Sequence, residues 1–346
     1  MGLTSQFPAE IRRPVIVDTD LSFDDYVALL YLLQHPGIDI RAITVANGAS
    51  HVKPGIENAR RLPPLVGRTD IPVAGGPHKP LAGQHAFPAS WRVSLDFIPR
   101  LMLPKARLPL PLGLSAPDLI RQQIVASDVP LTFVALGPLT NLALALRADP
   151  TLAAHIDTIF ISGGAINVPG TVHKDVPSNP NTVAEWNFYI DPVAADIVFN
   201  SGARLALIPL DVTNVDGPQP LLFSPDFLRR LSAAACGRAS KLMARFIRIW
   251  RRMSPQYKAT PVWDGVTAAI VADPMIGCDW HDLALRVVTQ PEQVAGQTVV
   301  DADRPANARV CLKGNQTAFE AAYLTTVSGS SDRLTKTGQK INATSL

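Results

Sequence analysis

The stretch Val15–Pro36, VIVDTDLSFDDYVALLYLLQHP, decides the fold of this chain. It opens with three apolar residues, and four aspartates then fall within eight residues. From Tyr26 onward the spacing of the apolar positions is typical of a largely buried helix, which Pro36-Gly37 ends. The pattern predicts a buried parallel strand, a short acidic loop and the start of a helix.

The four aspartates of this stretch are Asp18, Asp20, Asp24 and Asp25. Side chains two apart share one face of a strand, so Asp18 and Asp20 can point the same way. Asp24 and Asp25 fall in the first turn of the helix, where the macrodipole stabilises each negative charge by about 0.3–1 kcal/mol. A solvated acidic helix cap would explain one such pair. Four carboxylates at one strand end repel each other unless a cation offsets their charge, so the pattern favours a site for a hard metal ion.

Composition narrows the class of protein. The 346 residues are 47% hydrophobic, which is enough for a sizeable core in one large α/β domain or in two domains. Proline accounts for 31 residues, well above the usual share of about 5%, and this predicts long ordered loops. The net charge of +3 with mixed signs argues against nucleic-acid and membrane surfaces, so we expect neither partner.

The cysteines and the first residues indicate a compartment. Cys236, Cys278 and Cys311 are odd in number, scattered and without CxxC spacing, so we expect reduced thiols in a cytoplasmic protein. Residues 1–13 lack the apolar core of a signal peptide, and no apolar run approaches the length of a membrane-spanning helix.

Strand-like and helix-like segments alternate along the chain. The predicted strands after the first are Asp39–Gly48, Ile71–Ala74, Leu131–Leu136, Thr158–Ser162 and Leu205–Leu210, with further strands in Thr298–Val327. The predicted helices are Lys53–Leu65, Ala116–Ala126, Leu139–Leu146, Asp191–Asn200, Pro225–Ala235, Arg238–Met253 and Gly265–Ala272. This alternation predicts an α/β fold with a mostly parallel, Rossmann-like central sheet flanked by helices. We expect one domain over residues 1–327 and a disordered tail over residues 328–346.

The segment Gly75–Gly113 is long and rich in proline. A connection of this length within a compact domain usually covers a binding site, and an insertion without a role is an equal alternative. Ligands of such sheets bind outside the carboxyl ends of the parallel strands. The residues that fall at such ends are Asp20, Asn47, Leu136, the Gly163 turn and Asp211.

Carboxylates and amides dominate the candidate site. The set comprises Asp20, Asp24, Asp25, Asn179, Glu185, Asn187 and Asp264, with almost no histidine near any of them. Such donors select Ca²⁺ or Mg²⁺ over zinc, and they suit a ligand with many hydroxyl groups. The sequence lacks GxGxxG, a Walker loop and GxSxG, which argues against dinucleotide, P-loop and serine-hydrolase chemistry.

At these positions the chain resembles the inosine–uridine-preferring nucleoside N-ribohydrolase family. The matching motifs are Asp18-Thr-Asp20 with Asp24-Asp25, ALGPLTNLALAL (Ala135–Leu146), SGGA (Ser162–Ala165), Asn179 with Glu185-Trp-Asn187, Asp191-Pro192, LDVT (Leu210–Thr213) and Trp263-Asp264. They keep their order over residues 15–274, about three-quarters of the chain. The resemblance implies the nucleoside hydrolase fold and hydrolysis of the N-glycosidic bond of ribonucleosides, which gives free base and ribose.

The resemblance also implies a role for each matching residue. One Ca²⁺ is held by Asp20, Asp25, Asp264 and the main-chain carbonyl of Leu136, and Asp20 is the base that deprotonates a calcium-bound water. The residues that bind the sugar are Asp24, Asn47, Asn179, Glu185 and Asn187. At Asn47-Gly48 the family's Gly-Asn order is reversed.

The site departs from the family pattern in several places. The usual DxDPGxDD turn has Leu21-Ser22 in place of Pro-Gly, with the spacing intact. Trp263 replaces a histidine that protonates the leaving base in many members, and the His-Gly segment after the third strand is not recognisable. A purine stacked on Trp186 or Trp263 would gain proton affinity, so we expect a purine preference. If an acid acts from elsewhere, the next candidates are His78 and His85.

Two other functions fit parts of the sequence. The altered turn and the absent histidine favour a calcium- and ribose-binding homologue with weak or no hydrolase activity. Asp18-Thr-Asp20 also suggests a haloacid-dehalogenase-like phosphatase, but Leu21-Ser22 matches that family's DxDGT motif poorly. We expect a small-molecule nucleoside as the substrate and a homodimer or homotetramer as the assembly.

Overall fold

A computed structural model describes residues 12–105 and 113–329. Its strands are β1 (Arg13–Thr19), β2 (Ile38–Val45), β3 (Val73–Gly75), β4 (Leu131–Ala135), β5 (Ile156–Ser162), β6 (Leu205–Ile208), β7 (Asp279–Leu283), β8 (Leu285–Val287), β9 (Thr298–Val300) and β10 (Ala308–Lys313). Eight of them form one sheet in the order β3-β2-β1-β4-β5-β6-β10-β7, and β8 pairs with β9. The pairs of the main sheet are parallel apart from β7, which runs antiparallel to β10 at one edge. The predicted mostly parallel central sheet is confirmed.

Helices cover both faces of this sheet. They are α1 (Phe23–Gln34), α2 (Val52–Ala59), α3 (Ala89–Met102), α4 (Ala116–Val125), α5 (Thr140–Ala148), α6 (Val172–Asp175), α7 (Trp186–Ile190), α8 (Pro192–Phe199), α9 (Leu210–Thr213), α10 (Pro225–Ala234), α11 (Arg238–Met253), α12 (Trp263–Ala272) and α13 (Gln316–Ser328). Within residues 12–105 and 113–329, no helix combines the length and apolar character needed to cross a bilayer.

The opening stretch lies at the centre of the molecule. β1 pairs with both β2 and β4, and its residues Val15, Ile16 and Val17 are completely buried. The α1 helix that follows packs against α11 and α12, and its Tyr26 ring stacks on Phe246 with centroids 4.4 Å apart. Burial of apolar side chains on both sides of β1 therefore fixes the strand end from which the aspartates project.

Several segments differ from the predictions, among them β7 and β8, which lie outside every predicted strand. Gly75–Gly113 contains α3, which the sequence analysis did not identify. The predicted margin Thr298–Val327 contains β9 and β10, but it ends in α13. Buried Phe319, Tyr323 and Val327 recur in α13 at helical spacing, and this periodicity overrides the β-branched residues of the segment. Ser328 is the last residue of α13 and not part of a tail, and residues 330–346 of the predicted tail lie outside the described residues.

The expectation of three reduced thiols is wrong for two of them. Cys278 and Cys311 form a disulfide with their Cα atoms 5.5 Å apart, while Cys236 is free. Cys311 lies in β10 and Cys278 directly precedes β7, so the antiparallel pairing of these strands brings together two cysteines that are 33 positions apart. The spacing of the cysteines in the sequence carries no sign of this strand pairing.

Candidate active site

The carboxyl ends of the parallel strands open into a cavity of about 440 Å³, which we call the strand-end cavity. Several residues singled out from the sequence line it: Asp20, Asp24, Leu136, Glu185, Trp186, Asn187, Trp263 and Asp264. They come from segments that are far apart in the sequence, and the common edge of the sheet brings them together. Of the remaining predicted residues, Asp25 is fully buried beside the cavity, while Asn47 and Asn179 do not line it.

Three carboxylates form a cluster beside this cavity. Oxygen atoms of Asp24, Asp25 and Asp264 all lie within 4.8 Å of one another, and the three residues are buried. Asp24 and Asp25 lie in the first turn of α1, and Asp264 lies in the first turn of α12. The Asp264 backbone N–H donates to Asp24 Oδ2 at 3.1 Å. Two helix N-termini therefore converge here, and both macrodipoles favour negative charge.

Asp20 extends this cluster from the end of β1. The negative charges of Asp25 and Asp24 act on its carboxyl group. Asp20 Oδ2 accepts a hydrogen bond from the Ala49 backbone N–H at 2.8 Å. Of the predicted ligand side chains, Asp25 and Asp264 thus belong to the cluster of three carboxylates and Asp20 does not, while Asp24, which the resemblance assigned to the sugar, is its third member.

Burial and, after it, mutual repulsion disfavour the negative charge of three of these four carboxyl groups. Burial raises the pKa of Asp24 to about 6 and the pKa values of Asp20 and Asp264 well above the ordinary range, and repulsion among the aspartates adds to each shift. Among the described residues, none of the four is ion-paired with a lysine, arginine or histidine. Buried carboxylates without a cationic partner are costly, and a hard cation supplies the missing charge. This donor set therefore fits a metal ion.

The turn between β1 and α1 keeps its spacing without the Pro-Gly pair. Leu21 is completely buried and has a φ of 61°, in the left-handed region that side chains other than glycine rarely adopt. Its N–H is bonded to Thr19 Oγ1 at 3.2 Å, and the Ser22 N–H donates to Asp25 Oδ2 at 2.8 Å. Such a conformation costs about 1–3 kcal/mol and persists because the surrounding contacts hold it.

Glu185 and Asn187 contribute polar groups to another part of the cavity. Glu185 caps α7, where its carboxylate accepts the N–H groups of Asn187 at 2.9 Å, Gly164 at 3.1 Å and Phe188 at 3.3 Å. Burial raises the pKa of Glu185 to about 7. Asn187 Nδ2 donates to the carbonyls of Leu136 at 3.1 Å and Ser162 at 3.0 Å. The predicted carbonyl ligand thus lies next to a predicted sugar-binding amide.

Asn179 and Asn47 have other partners in this structure. Asn179 Nδ2 donates to the Tyr189 hydroxyl at 2.8 Å, and its Oδ1 accepts the Asn181 N–H at 3.0 Å. Asn47 is buried, and its Oδ1 accepts a hydrogen bond from Arg92 at 2.5 Å. Their roles in sugar binding stay predictions.

Aromatic rings form much of the cavity wall. Four of the five tryptophans line it: Trp91, Trp186, Trp250 and Trp263. Trp186 stacks on Phe87 with centroids 4.6 Å apart, and Trp263 meets Trp250 edge to face at 5.8 Å. Trp263 Nε1 is buried and has no hydrogen-bond partner among the described residues. A planar aromatic ligand would find stacking surfaces on this wall.

The sequence analysis missed part of this wall. Trp91 and Leu95 belong to α3, in the segment whose role was left open, and that segment does cover the cavity. Their i, i+4 spacing was the available signal, because it places both side chains on one helix face. Lys174 and Tyr257 also line the cavity, and no pattern in the sequence marks either of them.

Neither candidate histidine belongs to the wall, and no other histidine of the described residues lines the cavity. The ring of His85 stacks on Tyr189 and contacts the carboxylate of Glu292, and His78 is exposed. The described wall therefore offers Trp263 at the position where many family members have an imidazole.

Comparison with known proteins agrees with this geometry. The model of the inosine-uridine preferring nucleoside hydrolase family matches residues 15–321. The chain belongs to this family. The pyrimidine-specific ribonucleoside hydrolase RihA of Shewanella sp. (strain ANA-3) is 34% identical over 317 residues, which are 89% of this chain and 94% of that protein.

Solved structures of nucleoside hydrolases share the fold of this family member. The purine-preferring ribonucleoside hydrolase from Gardnerella vaginalis superposes with a TM-score of 0.77 at 25% identity, over 92% of this chain and 98% of that one. The inosine-uridine preferring nucleoside hydrolase from Bacillus anthracis superposes with a TM-score of 0.79 at 23% identity, over 91% of this chain and 99% of that one. At this level of identity the similarity concerns the fold alone.

The predicted family, fold and enzyme class are confirmed. The chain is a ribonucleoside hydrolase, an N-glycosidase that cleaves ribonucleosides. Family membership also argues against the phosphatase alternative. The names of its relatives include both pyrimidine-specific and purine-preferring enzymes, so the base preference has to be argued from the cavity.

Proposed function

We propose that this hydrolase depends on one Ca²⁺ and prefers purine nucleosides. The observation that carries the proposal is a cluster of buried carboxylates beside a cavity walled by tryptophans. The carboxylates suit a hard cation and the sugar hydroxyls, while the indole rings suit a large planar base.

The proposed metal ligands are Asp20, Asp25, Asp264 and the Leu136 carbonyl. All four are oxygen donors; Asp25 and Asp264 belong to the cluster of buried carboxylates, and Asp20 and Leu136 line the strand-end cavity beside it. When bound, calcium supplies charge neutralisation and a fixed orientation for the 2′- and 3′-hydroxyls and the attacking water. Asp24 lies within the same cluster and remains the proposed partner of a ribose hydroxyl.

Cleavage of the bond between C1′ and the base nitrogen builds positive charge on the ribose, as in other glycoside hydrolyses. Asp20 accepts a proton from the water that attacks C1′, and the negative charge of the cluster stabilises the cationic sugar. Glu185 and Asn187 hold further sugar hydroxyls from the α7 side of the cavity. The departing base takes up a proton and leaves as the neutral heterocycle, so that water is divided between ribose and base.

The indole rings replace leaving-group help from a histidine in this proposal. A purine accepts a proton on its imidazole ring and stacks over a larger area than a pyrimidine. Trp263 precedes Asp264 directly, and Trp186 lies between Glu185 and Asn187, so both rings adjoin the proposed catalytic groups.

A turnover panel tests both parts of the proposal. Release of base from inosine, adenosine, uridine and cytidine is measured in calcium, after chelation and after calcium is returned. We expect higher kcat/KM for the two purines, loss of turnover on chelation and recovery with calcium. Faster cleavage of uridine or cytidine would contradict the purine preference, and turnover that resists chelation would contradict the metal.

A binding protein without turnover is the second candidate, since the described cavity wall contains no histidine. Calorimetry with calcium and ribose distinguishes it from an enzyme. Binding of both ligands without release of base from any of the four nucleosides would favour this candidate.

A further inference from the structure

The α3 helix reaches the catalytic carboxylate through a single turn of chain, residues 47–51, which we call the 47–51 turn. Arg92 Nη2 donates to Asn47 Oδ1 at 2.5 Å and to the Ser50 carbonyl at 3.3 Å. One helical turn further on, Asp96 accepts the His51 backbone N–H at 2.9 Å and contacts the His51 ring at 2.6 Å. Arg92 and Asp96 thus hold the two ends of the turn from one face of α3.

The 47–51 turn in turn encloses Asp20. The Ala49 N–H donates to Asp20 Oδ2 at 2.8 Å, and the N–H and hydroxyl of Ser50 donate to the Asp20 carbonyl at 2.9 and 2.8 Å. A displacement of this turn therefore moves or releases the carboxylate to which we assign the proton transfer.

Arg92 has unusual surroundings for a cation. It is half-buried, and the acceptors of its two hydrogen bonds are neutral. Its Nε is buried without a partner among the described residues. Burial lowers the pKa of Arg92, and attraction to Asp96 and Asp20 opposes that shift, so the guanidinium lies in the field of the catalytic carboxylate.

The guanidinium also determines how Asn47 presents its amide. Arginine has only donors, so the Asn47 oxygen has to face Arg92 and the amide NH₂ group has to face away. The Arg92 hydrogen bond thus fixes the orientation of the buried Asn47 side chain at the start of the 47–51 turn.

We propose that Arg92 is a positioning residue, which holds Asn47 and the Ser50 carbonyl and so fixes the 47–51 turn against Asp20. The inference rests on the proposed function, since it assumes that Asp20 performs the proton transfer. It gives α3 a second role besides lining the cavity, which is to hold the turn that carries the contacts to the proposed base.

The test compares Arg92→Ala with Arg100→Ala, a matched control on the same helix. Arg100 is exposed, and its side chain forms a surface ion pair with Glu57 at 3.6 Å. We expect Arg92→Ala to lower kcat on inosine about 10²-fold, the effect of misplacing a catalytic group by about 1 Å. Added guanidinium ion should restore part of the lost rate, and Arg100→Ala should keep the wild-type rate with no response to guanidinium.

A binding experiment separates the contribution of Asn47. The ligand is a C-nucleoside, whose carbon–carbon glycosidic bond is not hydrolysed, and its Kd is measured for Arg92→Ala, Asn47→Ala and the double variant. If Arg92 acts through Asn47, the Kd of the double variant for the C-nucleoside is no higher than the Kd of whichever single variant binds it less tightly. Additive losses would overturn this part of the inference.

Each remaining outcome has one meaning. If wild-type protein releases no base from any nucleoside, the proposed function fails, while the binding experiment still tests the coupling of Arg92 to Asn47. If wild-type protein is active and folded Arg92→Ala keeps kcat within twofold, the inference fails by itself. If Arg92→Ala does not fold, Arg92→Met takes its place: it keeps an unbranched apolar side chain but has no hydrogen-bond donor, and an unchanged kcat would refute positioning.

Discussion

Gly48 tests how closely Asp20 has to be held. A Cβ atom at this position would lie 2.0 Å from Asp20 Oδ2 and 2.7 Å from its Cγ. Ordinary contact begins at 3.4 Å, so Gly48→Ala requires a relative shift of about 1.4 Å. Asp20 is only 3% exposed and its Oδ2 accepts the Ala49 N–H, so a shift of this size breaks that hydrogen bond and displaces the carboxylate toward the strand-end cavity. A displacement of about 1 Å costs on the order of 10²-fold in rate, or about 2.7 kcal/mol of barrier, and we expect kcat to fall by that factor.

Steady-state release of ribose from inosine in saturating calcium measures this effect. Gly113→Ala is the matched control, because a Cβ there meets no atom within 4 Å. Thermal unfolding confirms that both variants are folded before rates are compared. The reasoning is refuted if Gly48→Ala keeps kcat within threefold of wild type, since a carboxylate moved this far would then still be competent.

Three further predictions concern the base, the stacking ring and the support of the cavity. Asp20→Asn removes both the proton acceptor and a ligand charge, so turnover of inosine should fall at least ~10³-fold with an unchanged circular dichroism spectrum. A loss below tenfold would mean that another residue accepts the proton of the attacking water. Trp263→Ala should lower kcat/KM for inosine more than for uridine, because stacking on the ring contributes about 0.5–1.5 kcal/mol beyond area burial. Equal losses for the two substrates would mean that Trp263 lines the cavity without stacking on the base. The carboxylate of Asp211 accepts two backbone N–H groups at 2.8 and 2.9 Å, and Asp211→Ala leaves both without this partner. Urea denaturation should therefore show a free energy of unfolding about 2–4 kcal/mol lower, whereas Asp226→Ala, at an exposed position, should change it little. Similar values for the two variants would contradict the role of these hydrogen bonds.

Much of the fold is predictable because its signals lie close together in the sequence. The apolar run before Asp18 and the helical spacing after Asp25 correspond to β1 and α1. The alternation that follows predicts the parallel sheet, and the sheet predicts where ligands bind. The misses have the same physical origin as the successes: α3 lies among prolines and α13 among β-branched residues, so local propensity there opposed the packing that decided both helices.

The sequence by itself determined which chemical groups the site contains: carboxylates and amides at strand ends, and a tryptophan in the place of a histidine. Only the tertiary structure decided how they meet. Asp24 and Asp264 are 240 positions apart and touch because α1 packs on α12, and Asn47 meets Arg92 because α3 folds back over the 47–51 turn. The disulfide between Cys278 and Cys311 and the assembly of the four wall tryptophans also depend on contacts between residues that are not neighbours in the sequence. Neighbours along the chain set a residue's preferred backbone conformation, but contacts between elements follow from the burial of whole faces, which no short stretch of sequence encodes.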